Sequence, residues 1–246
     1  MRTRLRICAL GKNSFELRMP LYQWLFFDAD GTLFDYERAE AVALAQAFQR
    51  SGIPFQSDFL KVYRRINQNL WQTLEKGLIT PDVLKVRRFE LLFATTGIAH
   101  SPTDFGAIYL ECLAEGSELI DGALETLDVL RRNYRMAIVT NGLQAVQRAR
   151  LARSVIRGHI SEIIISEEIG FAKPALEFFD AAFARLGNPS KREVLMIGDN
   201  WISDIQGASQ YGMDTCWFNP RRQPRPDKPE ITFEVASLRE ITQWLK

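Results

Sequence analysis

Short apolar runs that stop abruptly at charge alternate with helix-spaced stripes along most of the chain, and one long block breaks that rhythm. The first run, Trp24-Leu25-Phe26-Phe27, ends at Asp28-Ala29-Asp30-Gly31-Thr32. Four consecutive apolar residues without alternation predict a strand buried on both faces. From about Asp121 the rhythm is strand, helix, strand: Met136–Val139, Ile163–Ile165, Val194–Ile197 and Cys216–Phe218 are the apolar runs. Helical spacing fills 143–153, 174–187 and 202–211 between them, and a short strand near 232–235 and a helix near 237–245 close the chain. That alternation predicts right-handed βαβ units and an α/β fold, a Rossmann-like, doubly wound parallel sheet.

The block from Tyr36 to Gly116 holds no β run. Phe59, Tyr63, Ile66, Leu70 and Leu74 mark one helical stripe, and Val83, Val86, Phe89 and Phe93 another. Thr80-Pro81-Asp82 and Ser101-Pro102-Thr103-Asp104 place a hydroxyl at the N-cap, proline in the first turn and an acid after it. The expected organisation is an N-terminal extension over 1–20, a core domain over 21–35 and 117–246, and an all-helical insert over 36–116. The insert is placed to lie over the strand ends. Residues 1–20 carry five basic residues against the single acid Glu16. Their simplest reading is an extension before a natural start at Met19, with a transit segment as the alternative.

Composition narrows the function classes. The net charge of +1 gives no field to attract nucleic acid or an anionic membrane, and no apolar run approaches the ~20 residues that span a bilayer. Cys8, Cys112 and Cys216 are far apart, which argues for a reducing, cytoplasmic setting and against a disulfide framework or a zinc site. With only His100 and His159, chemistry built on histidine is disfavoured.

Every later strand also ends in a polar cluster: Thr140-Asn141-Gly142, Lys173-Pro174 beyond the third strand, and Gly198-Asp199-Asn200 with Asp204. In a parallel sheet these ends share one edge, where ligands bind. Two carboxylates at ~4 Å repel by ~4 kcal/mol at an effective dielectric of ~20, so Asp28 and Asp30 require a cation or a proton nearby. Asp28 and Asp199 suit a hard divalent cation such as Mg²⁺. Lys173 adds a second positive charge, and Thr140 and the amide of Asn141 can donate to phosphate oxygens. The set suits phosphoryl transfer on a small phosphorylated metabolite. An EF-hand loop starting at Asp28 is excluded, because its sixth and twelfth positions are Leu33 and Ala39.

The four motifs in this order resemble the haloacid dehalogenase superfamily, and the insert resembles its type 1 helical cap. The resemblance implies that Asp28 is a nucleophile forming an aspartyl-phosphate, and that Asp30 protonates the leaving oxygen and then activates water. It implies phosphate contacts from Ala29, Thr140, Asn141 and Lys173. It further implies Mg²⁺ held by Asp28, the backbone carbonyl of Asp30 and Asp199, with Asp204 behind them. The second acid, Asp30, favours a phosphatase over the name-giving dehalogenases, which lack it. A phosphosugar mutase shares it and stays open, as do phosphatases of sugar phosphates or phosphoglycolate. A non-catalytic binding module is the reading from another class. Segments such as Ile66–Trp71, Arg87–Phe89, Ser166–Gly170 and Asp214–Asn219 resemble bacterial pyrimidine 5′-nucleotidases. Asn67, Trp71 and Arg88 are the candidate substrate contacts in the cap, each also readable as an ordinary core or surface residue.

Overall fold

The computed structural model describes residues 22–245, so the expected extension over 1–20 lies outside the described residues. Six strands form one parallel sheet: β1 (Trp24–Phe27), β2 (Arg135–Thr140), β3 (Glu162–Ile165), β4 (Val194–Gly198), β5 (Asp214–Phe218) and β6 (Phe233–Val235). Their spatial order is β3-β2-β1-β4-β5-β6. The chain steps outward from β1 in one direction and returns to β1's other side at β4, which makes the gap between β1 and β4 the switch point of the sheet.

The unbroken apolar strands make sense once both faces are seen. Leu25, Phe27, Met136, Ile138, Leu195 and Ile197 belong to one buried cluster. Their immediate neighbours Trp24, Phe26, Ala137, Val139, Val194 and Met196 belong to a second on the other face. Alternate side chains of a strand point to opposite faces, so a sheet covered twice needs apolar residues at every position. Helix α5 (Ala123–Leu130) and the C-terminal turns at Leu238 and Ile241 cover the first face. Phe178, Phe179, Ala182 and Phe183, with Ala208 and Tyr211, cover the second.

Between β1 and α5 lie four further helices: α1 (Tyr36–Arg50), α2 (Ser57–Glu75), α3 (Pro81–Thr96) and α4 (Pro102–Glu115). The predicted caps are formed, with Thr80 accepting from the Val83 amide and Ser101 from the Asp104 amide. A third cluster built on Phe48, Tyr63, Phe89, Phe105 and Tyr109 holds them together. Ring centroids lie 4.9 Å apart for Phe48–Phe105 and 5.0 Å for Phe89–Phe105, a spacing at which aromatic pairs add about 0.5–1.5 kcal/mol beyond area burial. The stripe expected on α3 holds at Phe89 and Phe93 and fails in the first turns. Val83 is exposed, and the buried face is Leu84, Arg88, Phe89, Leu92 and Phe93. A buried arginine occupies part of that face, so counting apolar residues alone misplaces it.

The cap and core are joined by two linkers lying side by side. Phe34 pairs with Leu119 in an antiparallel bridge, and the Asp35 amide donates to the Glu118 carbonyl at 3.0 Å. Helix α6 (Gln144–Arg153), which follows β2, crosses this division: its Leu143 flank and Val146 pack into the cap cluster.

Candidate active site

The sheet's switch point brings the later motifs to Asp28. The Asp28 amide continues the ladder to β4 by donating to the Ile197 carbonyl at 2.9 Å. The Lys173 ammonium donates to Asp28 Oδ1 at 2.7 Å, to Asp204 Oδ1 at 2.6 Å and to the Val139 carbonyl at 2.7 Å. Those three bonds use every proton an ammonium offers. Burial alone would lower its pKa, but the carboxylates of Asp204 and Asp28 outweigh that and hold it above the usual lysine range. Asn141 fixes the loop that carries Lys173. Its Nδ2 donates to the Lys173 carbonyl, and its Oδ1 accepts from the Lys173 amide, both at 2.8 Å. The Asn141 side chain is thus committed to Lys173. Thr140 is buried, its hydroxyl accepting from the Gly142 amide at 3.0 Å, and the Ala29 carbonyl accepts from the Leu33 and Phe34 amides.

Carboxylate oxygens of Asp28, Asp199 and Asp204 lie within 4.8 Å of one another. Burial first, then repulsion from Asp204 and Asp199, pushes the Asp28 carboxyl well up despite Lys173. Burial and the Asp204 charge push Asp199 up to about 7. Three carboxylates against one ammonium leave a negative excess that a divalent cation would cancel, and an all-oxygen donor set fits Mg²⁺. Asp204 is already engaged, by Lys173 on Oδ1 and by the Asn200 amide at 3.0 Å on Oδ2, which leaves Asp28 and Asp199 as the available donors. Asp199 is oriented by the Thr32 hydroxyl at 3.2 Å, and its carbonyl accepts from the Trp217 indole at 3.0 Å. Gly31 has φ +90°, and a Cβ there would stand 2.6 Å from Asp199 Oδ2, so both the turn and the close approach require glycine. The helix expected over 202–211 begins as a π-turn over Trp201–Gln206. The wider turn carries Asp204 back to the Asn200 amide.

Asp30 faces helix α6. Gln147 Nε2 donates to its Oδ2 at 2.5 Å and Arg150 Nη1 to its Oδ1. Neither residue was expected at the site. The available signal was their spacing of three, which puts both on one face of a helix; an arginine in Arg148-Ala149-Arg150 otherwise reads as surface.

The cap candidates separate. Trp71 lines a cavity of about 240 Å³ with Asp28, Asp30, Thr140, Lys173 and Asp199. Arg88 and Asn67 line none of the described cavities. Arg88 is fully buried, its guanidinium 4.8 Å from the Tyr109 ring centroid and its Nη1 donating to Tyr63 and Asn67. Asn67 is buried as well, donating to Tyr36 and Glu40 at 3.1 Å. Both are thus held within the cap interior by these bonds. Tyr36 and Glu75, not anticipated, do line the cavity, and burial raises the Glu75 carboxyl. A second, more apolar cavity of about 410 Å³ adjoins, sharing Trp71, Glu75 and Asn141 and adding Ile79 and Phe171.

Among the described residues no helix is long and apolar enough to cross a membrane. Comparison with known proteins fits this geometry. The pyrimidine 5′-nucleotidase YjjG of Escherichia coli is 34 % identical over 91 % of this chain and 98 % of its own. The pyrimidine 5′-nucleotidase PynA of Streptococcus pneumoniae is 33 % identical over 91 % and 95 %. A crystal structure of the HAD-hydrolase YfnB from Bacillus subtilis, bound to magnesium and described as revealing interdomain movement, superposes with a TM-score of 0.85 at 36 % identity. It covers 91 % of this chain and 98 % of that one. The family model for haloacid dehalogenase-like hydrolases matches residues 22–212, and this chain belongs to that family.

Proposed function

We propose that this phosphatase is a Mg²⁺-dependent nucleoside 5′-monophosphate phosphatase with a preference for pyrimidines, working through an aspartyl-phosphate on Asp28. The observation that carries the reading is the Asp28 carboxylate at the mouth of β1, bonded to Lys173 at 2.7 Å and within 4.8 Å of Asp199 and Asp204, which follow β4. Asp28, Asp199 and the Asp30 carbonyl would hold the cation, with Asp204 behind them. When bound, it supplies charge neutralisation for a phosphate dianion.

The chain's own groups then have defined tasks. Lys173 occupies Asp28 Oδ1, fixing the carboxylate's rotation and leaving Oδ2 to attack phosphorus as the ester oxygen departs. Asp30 gives that oxygen its proton. Water then attacks the acyl phosphate, its proton passes to Asp30, and Asp28 is regenerated with inorganic phosphate released. Two displacements replace one harder one, and a single acid serves both. The adjoining cavity suits the leaving group, with Trp71 and Phe171 as apolar surfaces for a base. The names of YjjG and PynA support a pyrimidine there. The buried, unbonded Cys112 and Cys216 accord with a cytoplasmic setting.

Phosphate release from UMP, dTMP, GMP, phosphoglycolate and glyceraldehyde 3-phosphate, with and without EDTA, tests the reading. The pyrimidine nucleotides should give the highest kcat/KM, and chelation should abolish turnover. Activity that survives EDTA, or a sugar phosphate leading the panel, overturns the corresponding part.

A further inference from the structure

Helix α6 carries none of the four motifs, yet it supplies both donors to the Asp30 carboxylate. Arg150 is fully buried, and its planar fork reaches three places at once. Nη1 donates to Asp30 Oδ1, Nε donates to the Gly116 carbonyl at 2.6 Å, and the guanidinium carbon lies 4.6 Å from the Phe34 ring centroid. Phe34 belongs to the linker that enters the cap, and Gly116 ends α4 at the linker that leaves it. Among the described residues the Gln147 side chain bonds Asp30 alone, and it does so by lying against Gly142, where any Cβ would collide with its amide. The glycine of Thr140-Asn141-Gly142 thus makes room for the side chain that orients Asp30.

A buried guanidinium is costly unless its partners are well placed. Here those partners are the proposed proton donor and the two linkers, and a lysine, with a single point charge, has no fork to span them. We infer that Gln147 and Arg150 are positioning residues for Asp30, and that Arg150 ties the direction of the Asp30 carboxylate to the placement of the cap linkers. The inference rests on the reading of Asp30 as the group that protonates the leaving oxygen. In the arrangement seen, both Asp30 oxygens accept bonds from α6. A linker displacement that moves the Gly116 carbonyl pulls on the same guanidinium that holds Oδ1, so the carboxylate is re-aimed when the cap moves.

The test compares two leaving groups in the full-length enzyme with Mg²⁺. Para-nitrophenyl phosphate releases a stable phenolate that needs no proton, whereas UMP, or the best alkyl phosphate of the panel, releases an alkoxide that does. Asp30→Asn, Gln147→Leu and Arg150→Met should each lower kcat on the nucleotide about tenfold or more beyond their effect on the aryl ester, with KM little changed. Placed in the Asp30→Asn background, Gln147→Leu and Arg150→Met should add almost nothing, because residues acting through one group are non-additive. Arg150→Lys, which keeps charge and loses the fork, should stay impaired on the nucleotide. Equal losses on both substrates, or full additivity with Asp30→Asn, overturn the inference. If Asp30→Asn itself shows no leaving-group dependence, the assignment of Asp30 and the inference both fall. If Asp30→Asn shows it and the α6 variants do not, only the inference falls. Should Arg150→Met fail to fold, Gln147→Leu decides, since it leaves the Gly116 bond in place.

Discussion

The Lys173 ammonium donates to Asp28 Oδ1 at 2.7 Å, across 145 residues of sequence. The same ammonium also bonds Asp204, so one cation is shared by two buried acids that follow different strands. Lys173→Met should therefore leave two buried acids without their cation and destabilise the fold by about 3–5 kcal/mol. Urea unfolding without Mg²⁺ measures the loss. A midpoint unchanged from the wild type would show that the pair is not stabilising.

Asp28→Asn should abolish phosphate release without weakening the fold. The substitution removes one of three mutually repelling acids, while Lys173 keeps Asp204 as its ion-pair partner. The thermal midpoint in EDTA should equal or exceed that of the wild type, in a melt run beside the phosphate assay.

The stabilisation by Mg²⁺ should grow with pH. Asp28 is raised well above the ordinary 3.8, and Asp199 from 3.8 to about 7. Between those limits the metal-free folded protein holds protons that the unfolded chain has lost. On account of these groups, its stability therefore falls as pH rises from about 3.8 to about 7. A cation must displace the same protons, so it binds more weakly at the acid end. Ligand at ~100 times its Kd stabilises by about 2.7 kcal/mol. The Mg²⁺-induced rise in Tm at pH 8 should accordingly exceed that at pH 5.5; the reverse order would remove Asp28 and Asp199 from the cation site.

Trp71→Ala and Arg88→Met should behave oppositely. Trp71 borders both cavities, so its loss should raise the KM for nucleotide severalfold, consistent with the ~1–3 kcal/mol that stacking a base on an aromatic contributes. Arg88 is sealed among Tyr63, Phe89 and Tyr109, and its Nε and Nη2 lack partners among the described residues. Replacing it with an apolar side chain of similar length should leave KM unchanged and alter only stability. Steady-state kinetics on UMP with a parallel melt separates the two.

Much of this was legible in the chain because the strands are doubly buried and each ends in a distinctive polar cluster. The run Trp24–Phe27, the caps at Thr80 and Ser101, and the meeting of Asp28 with Lys173 all follow from local chemistry plus the rule that parallel strands share an edge. Three kinds of feature were not legible. Arg88 and Arg150 are charged residues turned inward, and a hydrophobic count assigns such residues to the surface. The widened turn at Trp201–Gln206 carries Asp204, whose Oδ1 accepts from Lys173, a partner 31 residues away that local patterning does not reveal. The commitment of the Asn141 side chain to the Lys173 backbone depends on a loop some thirty residues away.

The pairing of Asp35 with Glu118 means that the chain departs for the cap and returns from it at a single doorway. An insertion, deletion or wholesale exchange between those two residues would not shift the register of any strand. Leaving-group preference can thus diversify over generations while the phosphoryl chemistry is inherited unaltered. The helix after β2, which packs Val146 against the cap and presents Arg150 to its threshold, has to co-evolve with whatever occupies that doorway, as does Glu167, which pairs with Lys85 of the cap.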